Sequence, residues 1–182
     1  MIDPIDEFFR DYYSRRPVNA TFTGIHDFDC ELPDWSPAGL ATIDTEMRDI
    51  SNRLTQRYGE SSPLGYDKDA NLLDAELIGG FCAVQTSENG GSHGPRGNPA
   101  LWTGEAVFSV IALMIRGFAP VGDRVAAATK RMNALPAFLA QARDTLDDAP
   151  LPATWTAKAL RDCEGAAILF RRGIACWPRV PA

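Results

Sequence analysis

Apolar residues recur at spacings of three and four along most of the chain, which is the period of an amphipathic α-helix. The clearest stripe lies between Ser36 and Gly59 and consists of Leu40, Ile43, Met47, Ile50, Leu54 and Tyr58. Ser36 suits the N-cap, Pro37 the first turn and Gly59 the end of this helix. The same spacing over residues 4–15 predicts an earlier helix, which Pro17 stops.

The remaining pattern predicts helices over most of the chain. A third helix, capped by Asp67 or Asp69, carries apolar residues as far as Val84, and four more are expected over about 102–116, 121–134, 135–146 and 154–172. Pro136 fits the first turn of the helix that starts at Leu135. No segment alternates apolar and polar residues with the period of a strand, and no repeat is visible. The prediction is an all-α single domain over 1–182, with about seven helices in an orthogonal or irregular bundle.

Residues 85–100, QTSENGGSHGPRGNPA, interrupt the helical pattern. The segment is rich in glycine, contains two prolines and lacks large apolar residues, so a flexible surface loop or lid is expected. Its glycines could instead cradle an anion on backbone N–H groups, but neither GxxxxGK[ST] nor GxGxxG is present. His93 within it is expected to be exposed to solvent.

Composition and charge narrow the class of protein. With 45% hydrophobic and 23% charged residues the chain is typical of globular proteins, and its net charge of −6 argues against nucleic-acid or membrane partners. The longest apolar run, 106–115, is about half of the ~20 residues that a membrane span needs. Residues 1–16 lack the apolar core of a signal peptide, so a cytoplasmic location and reduced cysteines are expected.

Short motifs in a fixed order resemble a known family. They are Pro17, Ala20-Thr21, Gly24, His26-Asp27, Leu32 to Ser36, Asn98-Pro99, Pro120, Arg124, Arg131-Met132, Ala134 to Pro136, Ala142-Arg143, Leu146 and Pro150. Together they are similar to the N-terminal part of the domain of unknown function 885 family, whose long bacterial members look like zincin-type metallopeptidases. The resemblance implies an incomplete lobe of a larger α-helical fold, which packs on a catalytic lobe and walls one side of a cleft.

The zinc-binding signature of that family is missing from this sequence. A zincin needs two histidines one helical turn apart in an HExxH motif, whereas this chain has only His26 and His93, and neither starts one. We therefore expect neither a self-contained metallopeptidase nor any bound metal or cofactor.

Four residues are candidates for chemistry. His26 with Asp27 and Asp29 could form a general base with an orienting carboxylate, or part of a substrate-binding wall. The alternative is that His26 and Asp27 satisfy backbone groups in an irregular linker. Trp102, directly after the glycine-rich segment, is the candidate wall of a substrate cleft, with core filling as its alternative. Arg116 is the candidate ligand for an anionic substrate group, with salt bridges as the alternative for it and for nearby arginines. Trp177 suggests either a contact with another chain or a disordered tail.

Two functions from different classes follow. The first is the small subunit of a heteromeric split enzyme, which packs on a second protein subunit to act on an amino-acid-derived small molecule in natural-product metabolism. The resemblance implies one specific reaction, ring closure with loss of sulfate, as in the paired aziridine-forming proteins of azinomycin-type biosynthesis. The alternative is a non-catalytic, stand-alone helical binding domain; a truncated gene is a third explanation.

Overall fold

The computed structural model describes residues 3–59, 70–146 and 151–177, and its regular structure is entirely helical. The helices are α1 Pro4–Arg15, α2 Pro17–Thr23, α3 Pro37–Tyr58, α4 Ala70–Gly90, α5 Pro99–Met114, α6 Val121–Thr145 and α7 Ala153–Ile168. A π-helical turn, Leu169–Gly173, and a short turn, Ile174–Cys176, extend α7. With seven helices and no strand in the described ranges, the all-α prediction is confirmed. Asp67, Asp69 and Pro150 lie outside these ranges.

The helix starts follow the capping pattern of the sequence. Asp3, Ser36 and Asn98 each accept a backbone hydrogen bond from two or three residues onward, at 3.0, 3.1 and 3.0 Å. A proline follows each of these caps at the first helical position, where its missing N–H costs nothing. The predicted starts of α1 and α3 are thereby confirmed. No described helix is long and apolar enough to cross a membrane.

The N-terminal group of helices consists of α1, α3 and α4. Its core is the predicted α3 stripe together with one face of α4 and a side chain of α1: Phe8, Leu40, Ile43, Met47, Ile50, Leu54, Ala75, Ile78 and Cys82. An ion pair of Arg53 with Glu7, at 2.5 Å, joins α3 to α1. Because α4 packs on α3 and α1, its opposite face is left to solvent.

The C-terminal group consists of α5, α6 and α7. Trp177 belongs to its core beside Val110 and Leu113, and the Arg124 guanidinium lies 5.4 Å from the centre of the Trp177 ring. The expectation of an exposed Trp177 was wrong, because the helical turns after α7 return the chain to α5 and α6. The indole is therefore buried in the core, where either a contact with another chain or a disordered tail was expected.

Trp35 joins the two groups. Its ring packs against both the N-terminal core and the cluster of Trp102 and Phe138. Its backbone N–H donates to Gln141 Oε1 at 3.1 Å, and its carbonyl accepts from the Thr145 hydroxyl at 2.9 Å. Because both of those partners belong to α6, this loop residue fixes the segment before α3 to the C-terminal group.

The sequence did not predict α2. Pro17 ends α1 as expected, but it also occupies the first position of a second helix. Gly24 ends α2 in the left-handed region, with φ +100°, which glycine adopts without strain. The segment expected to be an irregular linker is therefore shorter, and it begins after α2.

Pro136 lies inside α6 instead of starting a new helix. An interior proline removes one backbone hydrogen bond and costs about 3 kcal/mol. Pro136 is on the exposed side, while Leu135 and Phe138 beside it are buried in the core. Burial of those side chains, at about 2 kcal/mol each, offsets the cost and keeps the helix continuous.

The glycine-rich irregular segment is also shorter than predicted. Residues 85–90 belong to α4, and only 91–98 are irregular. A Cβ added at Gly94 would lie 2.0 Å from the Glu88 carbonyl oxygen, so the chain turns tightly against the end of α4. Trp102 Nε1 donates to the Pro95 carbonyl at 2.8 Å and fixes the far side of this turn. The segment is thus a packed turn.

Candidate functional site

A cavity of about 310 Å³ lies where the two groups of helices meet. Side chains of α1 to α5 and of the turn at 93–95 line it, so no single helix could form it alone. Its volume lies at the lower end of the range typical of small-molecule sites, about 300–1,000 Å³. The cavity suits a ligand of metabolite size.

Glu105 is the acidic group from α5 in this cavity. Burial raises the pKa of its carboxyl to about 7, although the positive charges of Arg131 and Arg16 oppose the shift. A carboxyl group with this pKa is present in both protonation states near neutral pH. Such a group suits the transfer of a proton or the binding of a ligand's ammonium group.

Two neighbouring arginines face the cavity in different states. Arg15 forms a two-pronged ion pair with Glu46, which raises the pKa of Arg15 and neutralises its charge. The Arg16 guanidinium instead lies over the rings of Tyr12 and Phe81, at 5.0 and 5.3 Å. Within the described part of the chain, no carboxylate lies within ion-pair distance of Arg16. Arg16 therefore provides the uncompensated positive charge of the cavity.

Gln85 brings an unsatisfied acceptor to the cavity wall. The carboxylate of Asp44 only accepts, so it fixes Asn89 with its amide N–H toward Asp44, at 2.9 Å. Asn89 Oδ1 must then face Gln85 and accept from Gln85 Nε2, at 2.8 Å. This leaves Gln85 Oε1 buried with no hydrogen-bond partner among the described residues. Buried acceptors of this kind are rare and call for a partner.

A second polar site lies on the surface at His26. Its Nδ1 is 3.1 Å from Asp29 Oδ2, and its ring stacks on Phe118 with ring centres 3.7 Å apart. Asp29 is held in turn by the Thr21 hydroxyl, 2.6 Å from Asp29 Oδ1. With Nδ1 protonated toward the carboxylate, Nε2 carries the lone pair, which is the arrangement of an oriented general base.

Arg131 fixes the segment that carries His26. Its guanidinium is fully buried and donates to the carbonyls of Pro17, Phe28, Glu31 and Ser109 at 2.7–3.2 Å, and to the Thr21 hydroxyl at 2.7 Å. Burial lowers the pKa of Arg131 to about 10, so the side chain keeps its charge at neutral pH. Its acceptors are four backbone carbonyls and one hydroxyl, where the sequence suggested salt bridges.

The four predicted site residues do not come together. His26 is paired with Asp29, whereas Asp27 is exposed and forms no hydrogen bond to His26. Trp102 is 1% exposed in the core, which favours the alternative of core filling over a cleft wall. Arg116 is exposed, with its guanidinium 5.2 Å from the Phe22 ring centre. None of the four is among the residues that line the cavity.

The cavity residues that the sequence analysis missed carry only weak signals. Glu105 is the sole acidic residue in the apolar stretch from Leu101 to Ile115. An acidic residue in such a stretch is a candidate for burial. Arg16 stands directly before a proline and belongs to no motif. Gln85 lies in a segment whose composition suggested a loop, so its burial could not be foreseen. For His26, the sequence offered both Asp27 and Asp29 as the orienting carboxylate, and the structure pairs it with Asp29.

No group of three or more histidine, cysteine or acidic side chains is placed to hold a metal ion in the described ranges. Comparisons of the chain with protein-family models, with curated proteins and with solved structures find no match. The resemblance of the sequence to a metallopeptidase-like family therefore stays a prediction.

Proposed function

We propose that this chain is the small subunit of a heteromeric enzyme that acts on an amino-acid-derived small molecule in specialised metabolism. In this proposal the chain packs on a second protein subunit and contributes one wall of the cleft between them. The observation that supports it best is an apolar stripe on the outer face of α4.

The stripe consists of Leu73, Leu77 and Val84, with Gly80 between the last two. These positions are spaced by four and seven residues and share one face of the helix, away from the face that packs on α3. Leu77 is 63% exposed and Val84 is 54% exposed. A contiguous apolar surface of this kind on a helix favours a protein contact.

The stripe borders the cavity. Phe81 follows Leu77 by one helical turn, Glu88 follows Val84 by one turn, and both Phe81 and Glu88 line the cavity. A subunit that covers the stripe would therefore also reach the rim of the cavity. This continuity supports a shared cleft rather than a remote contact.

The His26–Asp29 pair supports a reaction that needs a second chain. The pair has the geometry of a general base, but it lies on the surface, where water competes for the base. In our proposal the partner encloses it. In the ring closure that the family resemblance implies, a base takes the amine proton, nitrogen bonds to carbon, and the C–O bond to sulfate breaks. Arg116 is proposed to bind the leaving sulfate, and Asp27 stays a candidate in this loop.

The cavity itself supports the alternative, a stand-alone binding domain. Glu105, Arg16 and Gln85 all belong to this chain and line a space of ligand size without a partner. If a ligand binds in this cavity without a second subunit, the chain can carry out a binding function alone.

A paired substitution tests the proposed subunit. We expect the neighbouring gene to encode the second subunit. Leu77→Asp places a charge in the centre of the α4 stripe and is expected to abolish association with that gene product, without loss of helicity. Leu160→Asp is the matched control, because Leu160 is similarly exposed, at 62%, but lies on α7. Co-purification of the Leu77→Asp chain at the wild-type level would contradict this docking face.

A further inference from the structure

The cavity contains a guanidinium, that of Arg16, which has no carboxylate partner among the described residues. It also contains two groups that can accept hydrogen bonds, the Glu105 carboxyl on α5 and the Gln85 amide oxygen on α4. We infer that it binds a small zwitterion, with Arg16 holding the carboxylate and with Glu105 and Gln85 holding the ammonium group. The role of this ligand as a substrate rests on the proposed function, whereas its binding is a property of this chain alone.

Arg16 is suited to the carboxylate. Its guanidinium lies over the rings of Tyr12 and Phe81, and among the described residues its side chain makes no hydrogen bond and no ion pair. The donors at its edge are free for a planar anion, which a carboxylate matches with two parallel hydrogen bonds. Arg15 does not compete, since Glu46 already occupies its donors.

Glu105 is suited to the ammonium group. In the described chain its carboxyl makes no hydrogen bond and no ion pair, although it lies in the cavity wall. A bound ammonium ion favours the ionised carboxylate and would return the pKa of Glu105 toward its ordinary value. Arg16 and Glu105 line the same cavity of about 310 Å³, so one small molecule can contact both groups.

Gln85 is a second, independent sign of a missing partner. Asp44 and Asn89 fix its amide so that Oε1 is an acceptor with no donor, and the side chain is only 8% exposed. An ammonium group supplies three N–H donors, enough for both Gln85 and Glu105. Because Oε1 is covered, its contact with an ammonium group requires the atoms over it to move aside while the Gln85–Asn89 hydrogen bond is kept.

The apolar part of the cavity wall determines which ligand side chain fits. Ile43, Met47 and Leu101 line the cavity together with the rings around Arg16, so an aliphatic side chain fits there. The exposed residues Glu88 and His93 mark its rim. Because Glu46 neutralises Arg15, the charges that remain inside the cavity are those of Arg16 and Glu105. A ligand that carries both a positive and a negative charge therefore suits the cavity better than a simple anion or cation.

Calorimetric titration of the isolated chain near neutral pH tests the inference with three matched probes. L-norvaline carries both charges, pentanoate lacks the amine, and butylamine lacks the carboxylate. Norvaline is expected to bind at least roughly tenfold more tightly than either analogue, as sites built for two polar groups discriminate. Arg16→Met should weaken norvaline and pentanoate but spare butylamine. Gln85→Leu and Glu105→Gln should weaken norvaline and butylamine but spare pentanoate.

Two controls keep the outcome clear. Arg10→Met removes an exposed arginine of α1 that does not line the cavity and should change no affinity. Amide chemical-shift changes in the wild-type chain should centre on Gln85 and Leu101, which locates the site even if a variant fails to fold. Absence of saturable norvaline binding at millimolar concentration, equal affinities for the three probes, or shifts away from the cavity would overturn the inference.

The experiment is independent of the second subunit. If norvaline fails to bind but the heteromer forms, only the ligand class is wrong and the proposed subunit stands. If norvaline binds but no heteromer forms, the ligand site stands and the chain is a stand-alone binding domain.

Discussion

Nη2 of Arg131 lies 2.7 Å from the hydroxyl oxygen of Thr21, although 110 positions separate the two residues. The same hydroxyl lies 2.6 Å from Asp29 Oδ1, and Asp29 holds the ring of His26. A buried cation on α6 therefore positions a histidine on the surface. The stability of the core and the geometry of the candidate base depend on the same side chain.

Arg131→Met is expected to destabilise the fold by about 3–5 kcal/mol, because it leaves carbonyls of α2, α5 and the loop before α3 without their donor. Urea denaturation followed by circular dichroism measures this. Lys130→Met, at the exposed neighbouring position, should shift stability by no more than about 0.5 kcal/mol. Equal stability of the two variants would show that Arg131 does not anchor the loop.

His26→Ala is expected to abolish the activity of the heteromer while assembly and folding persist, because the ring is exposed and packs only on Phe118. Asp29→Asn should lower activity as well, since it no longer orients the ring, and Asp27→Asn should lower it less. Normal turnover by the His26→Ala complex would remove this histidine from the reaction. A larger effect of Asp27→Asn would restore Asp27 as its partner.

Glu105 makes the stability of the chain depend on pH. Its pKa is raised from 4.5 to about 7 on folding, so the unfolded state ionises first and the wild-type chain loses stability as pH rises between these values. At pH values above the pKa of the folded chain, the loss in the free energy of unfolding approaches about 3 kcal/mol. The rise in the pKa of Glu105 is opposed by the positive charges of Arg131 and Arg16. Further charged or titratable groups that line or border the cavity are Arg15, Glu88 and His93.

Glu105→Gln should therefore lack this pH dependence. Relative to the wild-type chain, the variant is expected to gain about 3 kcal/mol between pH of about 4 and about 8. Thermal unfolding across this pH range measures the difference. Glu164→Gln, an exposed control on α7, should follow the wild-type profile. A parallel profile for Glu105→Gln would mean that folding does not raise the pKa of Glu105.

Gly94→Ala tests the tight turn after α4. A Cβ there would meet backbone atoms at 2.0 Å, so the turn must shift, and a loss of about 1–3 kcal/mol is expected. Gly165→Ala is the opposite case, because among the described residues nothing is found within 4 Å of its added Cβ, in the last turn of α7 before the turns that extend it. There the gain in helix propensity should raise stability by about 1 kcal/mol. Melting temperatures that move in the same direction for both variants would contradict this packing.

The helices with a clear apolar period were predictable from the sequence. The positions where tertiary packing outweighs a local rule were not. The stripe of α3 and the caps at Asp3 and Ser36 follow local rules that need no tertiary information. Pro136 breaks such a rule, because burial of its neighbours outweighs the local cost. The short α2 carries too few residues for a period to show.

The candidate site shows the same division. His26 could be found from its residue type, but its partner depends on how the loop folds around Thr21 and Arg131. Glu105 and Gln85 are 20 positions apart on different helices and meet only where the two groups of helices join. No spacing in the sequence indicates that these two residues line one cavity, so the cavity could be found only in the structure.

The most direct test of the proposed subunit is its mass in solution, measured by light scattering after gel filtration. The chain is measured alone and after co-expression with the product of the neighbouring gene. We expect concentration-dependent self-association of the chain alone, because the α4 stripe is uncovered, and a defined heteromer on co-expression. A stable monomer that ignores the neighbouring product would contradict the account and leave a stand-alone binding domain.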